Sequence, residues 1–330
     1  MTIELKDGIG RKIDYLRLSV TDRCDFRCVY CMAEKMTFLP RVQVLSLEEL
    51  YRLASLFVSQ GVKKIRLTGG EPMVRPGIVD LCRDLSTLHG LEELVMTTNG
   101  SHLTRLARPL ADAGVKRLNI SLDSLDPGRF RAITRIGDLE QVLRGIETAR
   151  HAGFQRIKLN CVVMKGRNAD EILNLANFAF SNQLDISFIE EMPLGRVGNQ
   201  RQERFCSSDE VRAQLASRYN LIDSAEQSGG PARYVRIAEY PRSRIGFISP
   251  HTHNFCANCN RLRVTVDGRM LLCLGHEKAL DLKHLMRRYP ESDHQVAEAL
   301  HTALAQKPLR HEFTSTNDPQ VLRFMNVSGG

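Results

Sequence analysis

Between residues 14 and 191 short apolar stretches alternate with longer amphipathic ones. The stretches at 15–20, 64–68, 93–98, 117–122, 156–163 and 186–190 have the alternating, β-branched character of strands. Between them, 46–60, 77–88, 101–113, 138–152 and 169–181 place apolar residues at helical spacing. Ser46 followed by Glu49 reads as a capping box, and Gly61, Gly114 and Gly153 stand where helices should stop. Strand–helix alternation at a spacing of roughly 30 residues predicts an α/β fold with a parallel sheet and crossover helices. Six units fall short of a closed eight-stranded barrel. An open, partial (βα)6 TIM-like barrel is therefore expected, with its chemistry at the carboxyl ends of the strands.

After Gly195 the texture changes. Residues 196–204 are polar and loop-like, 208–219 read as helical, and Ser228-Gly229-Gly230-Pro231 as a turn. Short antiparallel strands are expected at 234–237, 244–248, 263–266 and 270–272, with Asp267-Gly268 as the hairpin between the last two. This divides the chain into a barrel, 1–195, and a C-terminal α+β extension, 196–330. No apolar run approaches the length of a membrane span, and the first residues lack a signal-peptide core, so a cytoplasmic protein is expected. A net charge of +8 admits nucleic acid, a phosphorylated small molecule or a solvated basic surface. It decides nothing alone.

Six of the nine cysteines fall into two trios, Cys24/Cys28/Cys31 and Cys256/Cys259/Cys273; Cys82, Cys161 and Cys206 read as buried apolar side chains. Three thiolates spaced Cys-x-x-x-Cys-x-x-Cys are one short of the ligands of a 4Fe–4S cluster and would leave an iron open to a substrate. A zinc site would need a fourth ligand nearby, and no His precedes His89. For the second trio a Cys₃His zinc site with His251, His253 or His276 stands close beside a second open cluster. The barrel rule brings Gly69-Gly70-Glu71-Pro72, 97–100, Ser121-Leu122-Asp123 and Glu190-Glu191-Met192 to the mouth that follows the first trio. Arg261 and Arg263 point to one face of a strand, and Arg17, Arg66 and Lys158 alternate with apolar neighbours as barrel-lining residues should. Paired guanidiniums form a fork for phosphate. A polyanionic substrate is expected.

The cysteine loop LRLSVTDRCDFRCVYCM and the LTGGEPMVR turn together resemble the radical S-adenosylmethionine (SAM) superfamily. With FCANCNRLR, the distant Cys273 and the closing Gly329-Gly330, the chain is similar over nearly its whole length to the GTP 3′,8-cyclase family of molybdenum cofactor biosynthesis. The resemblance implies two 4Fe–4S clusters on the two trios. It implies SAM on the first cluster beside Tyr30, Gly70, Ser121 and Met192. GTP would lie on the second, held by Arg17, Arg66, Thr97, Lys158 and the Arg261-Leu262-Arg263 run. A 5′-deoxyadenosyl radical would take hydrogen from C3′ of GTP, C3′ would bond C8, and the resulting base radical would be reduced and protonated to give 3′,8-cyclo-7,8-dihydro-GTP. It further implies a Gly329-Gly330 tail reaching into the cavity and an external flavodoxin- or ferredoxin-like electron donor. A cyclic pyranopterin monophosphate synthase would take the product, and a homodimer is the assembly to test. In one place the chain departs: where the family often carries Arg before Phe-Ile-Glu, it has Ser187, with Arg196 or Lys165 as candidate replacements. Two rivals are a peptide-modifying radical SAM enzyme and a basic RNA-binding module. The first usually carries more C-terminal cysteines, and the second is poorly supplied with aromatics for stacking (6%, no Trp).

Overall fold

The computed structural model describes residues 4–197, 200–226, 228–313 and 319–329. Its first half is β1 (Tyr15–Ser19), α1 (Leu47–Ser59), β2 (Lys64–Thr68), α2 (Ile78–Ser86), β3 (Glu93–Thr98), α3 (Leu103–Asp112), β4 (Arg117–Ser121), α4 (Pro127–Thr134), α5 (Leu139–Arg150), β5 (Arg156–Val163), α6 (Ile172–Ser181) and β6 (Asp185–Glu190). The six strands pair in chain order and all run parallel. The Ser46–Glu49 capping box forms at the start of α1 as expected. Helix α4 is absent from the sequence reading. Its eight residues are too few for a periodicity to stand out, although Asp126 caps it and Pro127 opens it.

Alternate strand positions divide between two environments. Leu16, Leu18, Ile65, Leu67, Leu118 and Ile120 are buried in the hydrophobic core. Tyr15, Arg17, Lys64, Arg66, Asn119 and Ser121 line the barrel interior.

The C-terminal strands are β7 (Leu221–Asp223), β8 (Arg233–Ile237), β9 (Arg244–Ile248), β10 (Arg261–Val264), β11 (Arg269–Leu271) and β12 (Ala279–Asp281). They form no separate sheet. Strand β9 joins β6 in parallel and β10 joins β1 in parallel, giving one twelve-stranded sheet with eight parallel strands at its centre. The expected antiparallel pairing holds within the hairpins β8–β9 and β10–β11 and fails at these two seams. The physical reason is that a six-stranded open barrel leaves unpaired backbone groups along β1 and β6, and the extension satisfies both edges.

Strands β9 and β10 are not neighbours in the sheet, so the barrel stays open. Residues 249–260 cross that opening, from the carboxyl end of β9 to the amino end of β10. Cys256 and Cys259 therefore sit at the opposite end of the barrel from Cys24, Cys28 and Cys31, which follow the carboxyl end of β1. The five residues of β1 alone span about 13 Å.

Candidate active site

One continuous cavity runs through the barrel and is lined by all six trio cysteines. At its upper end the first trio is held by backbone. Cys31 N donates to Cys28 O at 3.0 Å, and Phe26 N donates to the Cys24 sulfur at 3.3 Å. The glycine turn docks edge-on against this loop: Gly70 N donates to Thr21 O and Glu71 N to Arg23 O, both at 2.8 Å. A Cβ at Gly69 would lie 2.3 Å from Thr21 O, and one at Gly70 2.3 Å from Arg23 O. Only glycine permits that approach. Glu71 then ties the turn to the end of β3, its carboxylate accepting from Met73 N, Thr98 Oγ1 and Asn99 N. Tyr30 Oη donates to Asp123 Oδ2 at 2.7 Å, linking the loop to the end of β4.

Burial pushes the Cys24 and Cys28 thiols up, and Cys31 to about 12; the carboxylate of Glu71 adds to this at Cys24 and that of Asp123 at Cys28 and Cys31. Such thiols ionise only when a metal supplies positive charge, which suits ligands and not free nucleophiles. Among the described residues no three His, Cys, Asp or Glu side chains gather as ligands of a single ion.

The middle of the cavity is cationic. Register places Arg263, Arg17 and Arg66 side by side on β10, β1 and β2, with Arg261, Tyr15 and Lys64 one inward step below. Neighbouring strands are about 4.8 Å apart, so three guanidiniums crowd one rung. Burial and the adjacent arginines lower Arg17 to about 10 and draw Arg263 well below the usual guanidinium range. A polyanion relieves that repulsion, and forked donors suit its oxygens. Arg66 is aimed by Tyr15 Oη at 2.5 Å and Thr97 Oγ1 at 3.1 Å.

At the lower end, the short turn Cys256–Asn258 brings Cys256 and Cys259 together, and Cys273 follows β11 on the same side. Burial raises Cys259, but the charges of Arg261 and Lys307 outweigh it and bring the thiol to about 7. The histidines weighed as zinc ligands are engaged elsewhere: His251 with Glu191 O, His253 with Asp209 and His276 with Arg310 O.

Tyr30, Gly70, Ser121, Met192, Arg17, Arg66, Thr97, Lys158, Arg261 and Arg263 all line the cavity. Leu262 does not: its side chain turns the other way, into the core, as alternation between Arg261 and Arg263 requires. Gly329 enters from the first-trio end, where its carbonyl accepts from Arg17 at 3.1 Å and Arg263 at 2.8 Å. Gly330 lies outside the described residues. Ser187 is fully buried opposite Gly246, and neither proposed substitute takes the missing arginine's place. Lys165 pairs with Glu210 on the surface, and Arg196 is exposed. The sequence reading missed Tyr15, Lys64, Asn119 and Asn160, cavity residues that the same alternation along β1, β2, β4 and β5 marks.

A cysteine loop clasped by a glycine turn at the carboxyl mouth of an open parallel barrel defines a radical SAM enzyme. The Radical SAM superfamily model matches residues 18–179, and the Molybdenum Cofactor Synthesis C model matches residues 184–313. GTP 3′,8-cyclase 1 of Pseudomonas aeruginosa is 70% identical over 324 residues, covering 98% of each chain. GTP 3′,8-cyclase of Pseudomonas entomophila is 63% identical over 327 residues, covering 99% of this chain and 98% of that one. The chain belongs to the GTP 3′,8-cyclase family, radical SAM enzymes that use 4Fe–4S clusters and SAM in molybdenum cofactor biosynthesis. In fold it is also similar to Streptococcus suis SuiB bound to S-adenosylmethionine, with a TM-score of 0.59 at 13% identity, covering 96% of this chain and 77% of that one. Among the described residues no helix is long and apolar enough to cross a membrane.

Proposed function

We propose that the two cysteine trios each hold a 4Fe–4S cluster at opposite ends of the cavity, with SAM and GTP between them. Cys24, Cys28 and Cys31 ligate the first cluster, and Tyr30, Gly70, Ser121 and Met192 surround SAM. Cys256, Cys259 and Cys273 ligate the second. When bound, the first cluster and SAM would supply a 5′-deoxyadenosyl radical for hydrogen abstraction at C3′ of GTP, and closure of C3′ onto C8 would take up one further electron and a proton from outside the nucleotide. The protein's own task is orientation: two anchors at the ends of GTP hold C3′ against C8 and exclude water.

The observation that carries this reading is the Arg263–Arg17–Arg66 rung, set between the trios. Those arginines, with Arg261, Thr97 and Lys158, take the triphosphate. Tyr15 and Thr97 keep Arg66 in place for it. Leu262 serves the site through its backbone, by keeping the two arginines on one face. Gly329 occupies Arg17 and Arg263 through its carbonyl, so that Gly329-Gly330 form a tail sensitive to what the arginines hold.

Around this core we place the protein in the cytoplasm, with a barrel unit, 1–195, and a cluster-bearing extension, 196–330, and a homodimer as the assembly to test. A flavodoxin- or ferredoxin-like donor supplies electrons, and a cyclic pyranopterin monophosphate synthase consumes the product. The test is anaerobic reconstitution of wild type and Cys259→Ala. Wild type should bind about eight irons and the variant about four, at four per cluster. Only wild type should turn GTP into the cyclised nucleotide, while both bind SAM. Eight irons in the variant would overturn the assignment.

A further inference from the structure

The second trio comes from two segments, 256–259 and 273, whose shared hairpin ends just short of it. Register pairs Arg263 with Leu271, so Arg261 and Cys273 stand where the next rung of the ladder would be, beyond the end of β11. Lys307 closes that gap. Its ammonium donates to the carbonyls of Arg261, at 3.0 Å, and of Leu272. The next residues, Pro308 and Leu309, offer their own carbonyls to Arg11 at 2.7 and 3.0 Å, and Arg11 also donates to Cys256 O at 2.7 Å. Asp7 fixes Arg11 through a buried ion pair at 2.5 Å. The segment 307–309 thus reaches backbone at or beside all three cysteines.

The two cations differ in one respect. Arg11 has a carboxylate partner, whereas Lys307 is 6% exposed and makes no ion pair with a carboxylate among the described residues. Among the described residues the groups that can supply negative charge to this buried ammonium are the sulfurs of Cys259 and Cys273. Lys307 lines the cavity beside Cys259 and Cys273, and two of its three N–H groups are spent on the carbonyls.

We infer that Lys307 is the positioning residue of the second cluster: it staples the cysteine-bearing segments together, and its positive charge, paired with no carboxylate, raises the cluster's reduction potential. The inference rests on the reading of Cys256, Cys259 and Cys273 as that cluster's ligands. Reduction adds a negative charge to the cluster. A fixed buried cation at its edge stabilises the reduced form, since net charge and hydrogen bonding set such potentials.

The experiment is a redox titration of the anaerobically reconstituted full chain, followed by electron paramagnetic resonance, for wild type, Lys307→Met and Lys307→Arg. In Lys307→Met the midpoint of the second cluster should fall below that of wild type while the first cluster's midpoint stays put. Lys307→Arg should track wild type. An unmoved second midpoint, or equal shifts of both clusters, would overturn the inference. Should Lys307→Met lose the second cluster but keep the first, recovery of iron in Lys307→Arg supports the staple, and equal loss in both variants refutes it. If the Met variant does not fold, Lys307→Gln, which keeps a donor without charge, must show the same fall. A wild type with about four irons, at four per cluster, would instead sink the two-cluster reading itself.

Discussion

Tyr15 illustrates how much one side chain's surroundings decide. Burial alone would raise its phenol, but Arg66, Arg17 and Lys64 outweigh it and bring the pKa from an ordinary 10 to about 6. With the folded value below the unfolded one, the stabilisation is full above pH 10. It declines as the pH falls toward 6 and is gone below that. Protein carrying ¹³C-labelled tyrosine should show a ring resonance titrating near 6, lost in Tyr15→Phe and moved upward by GTP, whose phosphates offset the cations. A Tyr15 resonance that titrates at 10 contradicts this. Gly329 is as exacting: its φ is +74°, and a Cβ there would meet Thr68 Oγ1 at 2.1 Å. Left-handed backbone costs a side chain about 1–2 kcal/mol. Gly329→Ala should therefore cut GTP-dependent deoxyadenosine formation about tenfold or more, with iron content unchanged.

At the scale of elements the decisive one is β10. Its motif was legible, since Arg261 and Arg263 at alternate positions beside a Cys-x-x-Cys already suggest a phosphate fork. What they stand beside was not legible, because strand pairing depends on which edges are free, a property of the assembled sheet. Parallel docking on β1 puts Arg263 in a rung with Arg17 and Arg66 and leaves Arg261 one step below, beside Tyr15. Losing one member should forfeit a charged hydrogen bond of about 1.5–3 kcal/mol, or about 10- to 100-fold in GTP affinity. Equilibrium dialysis of Arg263→Ala should show that loss with SAM binding intact. Arg263→Lys should recover only part of it, because an ammonium lacks the fork.

At the scale of the whole molecule, the division at residue 195 marks a change in sequence texture that the sheet ignores. The extension covers β6 with β9 and β1 with β10. A chain ending at 195 would expose both barrel edges, along Tyr15–Ser19 and Asp185–Glu190. Expressed alone, 1–195 should aggregate, and co-expression with 196–330 should return it to solution. A soluble, monomeric 1–195 that melts cooperatively would show the two parts to be independent.

What the sequence by itself determined is local. Apolar alternation set the six strands and the capping box set α1, while thiol spacing marked the first trio for an open cluster and left the second between zinc and a cluster, because each depends on neighbours within a few residues. Family motifs extended this to the chemistry. The tertiary structure alone decided that the trios lie at opposite ends of one cavity, and that Leu262 faces the core. It also decided that Gly329 meets Arg17 and Arg263, and that Lys307 closes the second trio. These are meetings between residues up to about 300 positions apart, brought about by the satisfaction of free strand edges. No spacing along the chain records them.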